Sequence, residues 1–159
     1  MAAKTVTRDS SESDARWMLG GLYEIKVSSD ETGGAMTAME FTIPANAGPP
    51  PHVHNCAELM YVLEGRARFH ADGETFEAGP GSIFHFPEGT EETFEPIGET
   101  PLRMLGVYAP GGIDRFFKEA GEPAQRREVP PAAEAPPDLE RLGAIAEKHG
   151  LELRAPARA

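Results

Sequence analysis

Cysteine is almost absent from this chain: Cys56 is the only one. An internal disulfide is therefore excluded, and a single thiol fits a reducing compartment. The 159 residues must be held by a hydrophobic core, which a chain of this length buries without covalent staples. Long apolar runs are absent too. No stretch approaches the roughly 18 residues of a membrane span, and no apolar leader follows Met1, so the expectation is a cytoplasmic protein. Positive charge is scarce: 15 Lys and Arg against 26 Asp and Glu leave a net charge of −11. Such a surface repels phosphate backbones and anionic headgroups, which argues against nucleic acid and membranes as partners. Small molecules or another protein chain remain.

What the chain has in quantity is short strand-like segments. From Arg16 to Ala109, WMLGGLYEIKVS, AMTAMEFTIP, AELMYVLEG, RARFH, ETFEAG, SIFHF, ETFEP and LRMLGVYA have strand length and partial alternation. Gly, Pro, Asn and Asp separate them, and Asp72-Gly73 is a strong hairpin signal. The pattern predicts an all-β sandwich or barrel over residues 16–120, preceded by a frayed polar tail over 1–15. GGIDRFFKEAGEP has the length of two helical turns, with Phe116 and Phe117 as anchors. Residues 121–137 are rich in Pro, Ala and Glu and read as a linker. A helix over 138–150 follows, with Asp138 as N-cap, Leu139, Leu142 and Ile145 at helical spacing and Gly150 as its stop, then a tail over 151–159.

The chemistry concentrates in PPPHVHNCAELMYVLEG, residues 49–65. In an extended strand, alternate side chains share a face, so His52, His54, Cys56, Glu58 and Met60 point one way. Two imidazoles and a carboxylate on one interior wall offer N and O ligands to Fe²⁺, Mn²⁺, Ni²⁺, Co²⁺ or Zn²⁺. Burying these three groups without a cation carries a heavy desolvation cost, so ligation accounts for the pattern better than packing does.

His52, His54, Glu58 and Gly65 together resemble the first motif of the cupin superfamily. GPGSIFHFPEGTEE is similar to the second, with Gly81, Pro87 and Gly89 in place. Thr32-Gly33-Gly34, the entry GPPPHVH and LRMLGVYAPGGIDRFFKEAGEP are similar to the single-domain, quercetin-dioxygenase-like cupins. The resemblance covers about residues 15–120. It implies a double-stranded β-helix (jelly-roll barrel) holding a divalent metal and assembled as a homodimer. It also implies an enzyme acting on a small aromatic or enolisable substrate, a quercetinase-like dioxygenase first. The alternatives are a non-oxidative isomerase, cyclase or lyase, and a small-molecule-binding cupin without catalysis.

The second motif departs from the family at one position. Three residues after Gly89, where the third histidine ligand is expected, the chain has Glu92. Glu92 is either a fourth ligand beside His52, His54 and Glu58, or a general base beside a three-ligand metal. Two imidazoles and two carboxylates would neutralise a divalent ion and favour the harder Fe²⁺ or Mn²⁺. Either carboxylate, Glu58 or Glu92, is then a candidate for proton transfer. The substrate pocket is expected to include His85, Cys56, Met60, Phe69, Phe94 and Tyr108, although a lone buried cysteine ordinarily behaves as a small hydrophobe. His70 and His149 are expected to be exposed.

Overall fold

In the computed structural model, which describes residues 2–155, the chain forms two antiparallel sheets. The strands begin with β1 (Asp14–Met18), β2 (Gly21–Val27), β3 (Thr37–Ile43), β4 (His52–His54), β5 (Ala57–Glu64) and β6 (Arg66–Ala71). They continue with β7 (Glu74–Ala78), β8 (Ile83–Phe86), β9 (Glu91–Ile97), β10 (Leu102–Ala109), β11 (Glu122–Pro123) and β12 (Leu151–Leu153). The larger sheet has the order β11-β1-β2-β3-β10-β5-β8, the smaller β12-β4-β9-β6-β7. Their inner faces enclose the core of a jelly-roll barrel, and two helices, α1 (Ile113–Ala120) and α2 (Leu139–Lys148), lie after the main strands.

Alternation builds the walls. In β3 and β10 every second side chain is buried, so Met39, Phe41, Ile43, Leu102, Met104 and Tyr108 fill one interior. Asp72 and Gly73 both have positive φ, 49° and 82°, and join β6 to β7 in a two-residue turn whose twist matches the strands. Gly65, between β5 and β6, has φ 77°, and a Cβ there would meet the Pro101 carbonyl oxygen at 2.5 Å.

The core holds two aromatic clusters. In one, Phe69 stacks on Phe76 at 5.3 Å and meets Phe84 edge-on at 4.6 Å, with Phe86 and Phe94 completing an aromatic plug. In the other, α1 lays Phe117 on Tyr23 at 4.7 Å and buries Phe116 beside it. Such ring pairs add about 0.5–1.5 kcal/mol beyond their buried area.

Several sequence expectations change. WMLGGLYEIKVS, read as one strand, is a hairpin: Leu19 and Gly20 take φ of 48° and 79° and turn Met18 back onto Gly21. The polar stretch 1–15 is organised for much of its length. Residues Ser10–Glu12 form a 3-10 turn, β1 begins at Asp14, and Arg8 pairs with Glu31 at 2.6 Å. The 121–137 linker lies on the barrel in its first half, where Trp17 Nε1 donates to the Glu128 carbonyl at 2.8 Å and Arg127 reaches Glu24 at 3.1 Å. Asp138 accepts from Arg141 N at 2.9 Å and caps α2, which buries Leu142 and Ala146 but leaves Leu139 exposed. The stretch read as a tail from residue 151 opens with β12, paired to β4; Met1 and residues 156–159 lie outside the described residues.

Candidate metal centre

Strand β4 is only three residues long, yet both its edges are paired. On one side His52 stands opposite Glu92 of β9; on the other, Leu153 stands opposite His52 and Leu151 opposite His54. Directly opposed residues share a face, so this register sends His52, His54 and Glu92 into the barrel together. Their ligand atoms all lie within 4.8 Å of one another, and all three side chains are buried. His52 Nε2 is 3.2 Å from Glu92 Oε1, and His54 Nε2 is 3.7 Å from the same oxygen. Glu58, on β5, stands outside this tight set. Its Oε2 is 3.3 Å from His54 Nε2, and its Oε1 accepts a hydrogen bond from the Tyr108 hydroxyl at 3.2 Å.

The polar atoms here are under-satisfied. Among the described residues, the buried side-chain atoms without a partner are Ser29 Oγ, His54 Nδ1, Glu58 Oε2 and Glu92 Oε2. Three of the four belong to this cluster, where each unmet group costs about 1–3 kcal/mol. His52 Nδ1 lies 2.9 Å from the Pro50 carbonyl and donates to it, which turns the Nε2 lone pair of the neutral ring toward Glu92. Two acceptors at that separation require a proton or a cation between them. The residues present therefore fit a divalent ion in chemistry and in direction.

Electrostatics carry the same mark. Burial opposes protonation of His52, but its bond to Glu92 and the charges of Glu92 and Glu58 outweigh it and raise its pKa. Burial lowers His54 to about 4. Glu58 is raised well above the carboxylate range by burial and then by the charge of Glu92, and Tyr108 is raised by burial and then by Glu58. A cavity of about 60 Å³ adjoins these groups, with Met60, Phe94 and Tyr108 on its wall.

Three expected pocket residues lie elsewhere. His85 is exposed on the outer side of β8, because Phe84 and Phe86 take the inward positions and leave Ile83 and His85 to solvent. Phe69 is buried in the aromatic plug and does not line the cavity. Cys56 is buried beside Asn55 and Pro110 in a separate recess, its thiol pushed up to about 12 by burial and by Glu58. His149 Nε2 donates to the Glu119 carboxylate at 2.6 Å and is largely covered. Conversely, Leu142, Leu151 and Leu153 line the cavity, although local patterning places them only in a helix and a tail. The apolar alternation of Gly-Leu-Glu-Leu after the helix stop is the signal that marks β12.

A family model described as a cupin domain matches residues 39–108. The quercetin 2,3-dioxygenase of Bacillus subtilis (strain 168) is 27% identical over 121 residues, covering 72% of this chain and 34% of that protein. The chain thus spans about a third of that relative's length. Among solved structures, an RmlC-like cupin from Shewanella frigidimarina superposes with a TM-score of 0.62 at 16% identity, over 72% of this chain and 98% of that one. The polyketide cyclase RemF from Streptomyces resistomycificus gives 0.60 at 20% identity, over 82% and 89%.

Proposed function

The chain belongs to the cupin superfamily, and from that membership we propose that it is a metal-dependent enzyme acting on a small, enolisable, oxygen-donor substrate. The observation that carries the proposal is the convergence of His52, His54 and Glu92 within 4.8 Å, with carboxylate oxygens buried and unpartnered beside them. His52, His54 and Glu92 would hold the ion, Fe²⁺ or Mn²⁺ by preference, with Ni²⁺, Co²⁺ and Zn²⁺ compatible with the donors. A divalent cation supplies Lewis acidity, polarising a substrate oxygen and stabilising the anion left when an adjacent proton departs.

Glu58 is the group placed to move that proton. It stands beside the triad rather than within it, reaches His54, and is oriented by Tyr108. The apolar wall of Met60 and Phe94 excludes water from the reacting centre. Dioxygenation, the activity named for the Bacillus relative, is the first activity to assay, with dioxygen uptake as the readout. The second carboxylate favours a non-oxidative isomerase, cyclase or lyase as the other reading, because it offers an internal proton carrier that needs no oxidant.

Metal content of protein purified without chelators tests the proposal. We expect about one equivalent in the parent and loss of most of it in His52→Ala, His54→Ala and Glu92→Ala. Glu58→Gln should retain the metal and lose turnover. A parent without stoichiometric transition metal, whose folding is indifferent to His52→Ala and His54→Ala, would favour a binding protein instead.

A further inference from the structure

We propose that the segment from Asp138 to Leu153 sets the size of the substrate, restricting it to molecules smaller than an aromatic ring compound. This rests on reading the cavity as the substrate chamber of a metal centre. Most of the chamber wall is barrel. Phe41, Met60, Met104 and Tyr108 project from β3, β5 and β10, where central strands are hydrogen-bonded on both edges and cannot retreat singly. The remaining wall is of another origin: Ile113, Phe116 and Phe117 come from α1, Leu142 from α2, and Leu151 and Leu153 from β12.

The register makes that wall intimate with the ligands. Leu151 lies directly opposite His54 and Leu153 directly opposite His52, so the two leucines stand on the imidazole side of the sheet. The chamber they leave, about 60 Å³, accommodates a few small atoms. An apolar cavity of about 150 Å³ is the size known to hold a benzene ring. A ring of that size does not fit while β12 is seated, and only a smaller molecule is admitted.

The segment is attached as a separate piece. Residues 131–138, which lead into it, are exposed and have no regular structure apart from the cap at Asp138. Besides the three β4–β12 residue pairs and the buried Leu142, Ala146 and Leu151, polar clamps hold it: Lys148 and His149 reach Glu119 at 2.9 and 2.6 Å, and the adjoining Arg154 pairs with Glu91. Replacing its leucines changes the chamber without altering any of β1 to β10.

The test uses two probes with one chelating group, acetohydroxamic acid and benzohydroxamic acid, titrated calorimetrically into Mn²⁺-loaded protein. The parent should bind the methyl compound and exclude the phenyl compound. Leu151→Ala/Leu153→Ala should gain affinity for the phenyl compound by about tenfold or more, with the methyl compound changed by less than about threefold. If the double variant fails to melt cooperatively, Leu153→Ala alone reads the same ratio, since Leu153 is only half-buried. A methyl-to-phenyl preference that stays the same in the variants overturns the size assignment. Failure of the parent to retain Mn²⁺ at all overturns the underlying metal reading instead.

Discussion

Glu92→Gln should raise stability without metal and roughly halve the stabilisation that metal gives. In the metal-free protein Glu92 carries an unpartnered buried oxygen and faces a second buried carboxylate, Glu58. Glutamine keeps the shape, removes one of the two potential charges and offers an N–H to Glu58. Relief of one orphaned acceptor is about 1–2 kcal/mol, the lower part of the usual range for such a group. For a chain of this size each kcal/mol moves the midpoint by about 2–4 °C, so the variant should melt about 2–8 °C above the parent in chelator. Metal closes most or all of that gap. At about 100 times its Kd, a divalent ion stabilises the parent by about 2.7 kcal/mol, or about 5–11 °C. Loss of one ligand weakens binding by at least about tenfold, and the same metal concentration then yields about 1.4 kcal/mol, or about 3–6 °C. Thermal melts with and without Mn²⁺ decide it. A variant that melts below the parent in chelator, or gains the full metal shift, refutes the assignment of Glu92 as a ligand.

Tyr108→Phe removes the donor to Glu58 Oε1 and should cost about 1–2 kcal/mol in denaturant titrations. Its metal content should be unchanged, because Tyr108 touches Glu58 and not the triad's shared oxygen. Phe117→Ala deletes the ring stacked on Tyr23 and should destabilise by about 3–5 kcal/mol, with loss of protection in α1 by hydrogen exchange. At the N-terminal arm, the Arg8 hydrogen bond and then the Ser28 backbone N–H hold Glu31 at about 2, below its ordinary 4.5. A depressed carboxylate contributes stability above its unfolded pKa and loses it as pH falls through the folded one. Proteolytic susceptibility of residues 2–12 should therefore rise between about pH 4.5 and pH 2 in the parent, and be high throughout in Arg8→Ala.

The barrel was legible because it rests on local rules. Alternation along β3 and β10 and the Asp72-Gly73 turn act within a few residues and carry directly into the fold. The His52–His54 spacing was legible for the same reason. His85 was not, since parity alone says which residues share a face, and only the competition with Phe84 and Phe86 decides which face is inside. Phe69 and Phe94 show the same limit: both point inward and meet in the aromatic plug, but only Phe94 also reaches the chamber. The C-terminal contribution was hidden for a different reason. Leu151 and Leu153 acquire their role only by pairing with a strand far earlier in the chain, and no local pattern encodes that partner.

That distant pairing bears on how the protein is made. The donors His52, His54 and Glu92 all leave the ribosome well before β12 does, and every barrel strand precedes it in the chain. A nascent barrel can thus close while one edge of β4 still presents bare N–H and C=O groups, the kind of edge that pairs with other chains. On the metal reading proposed above, ion capture would have an interval in which the donors are assembled and the approach from that side is open. Seating of β12 ends the interval by covering that edge and setting Leu151 and Leu153 opposite the two imidazoles.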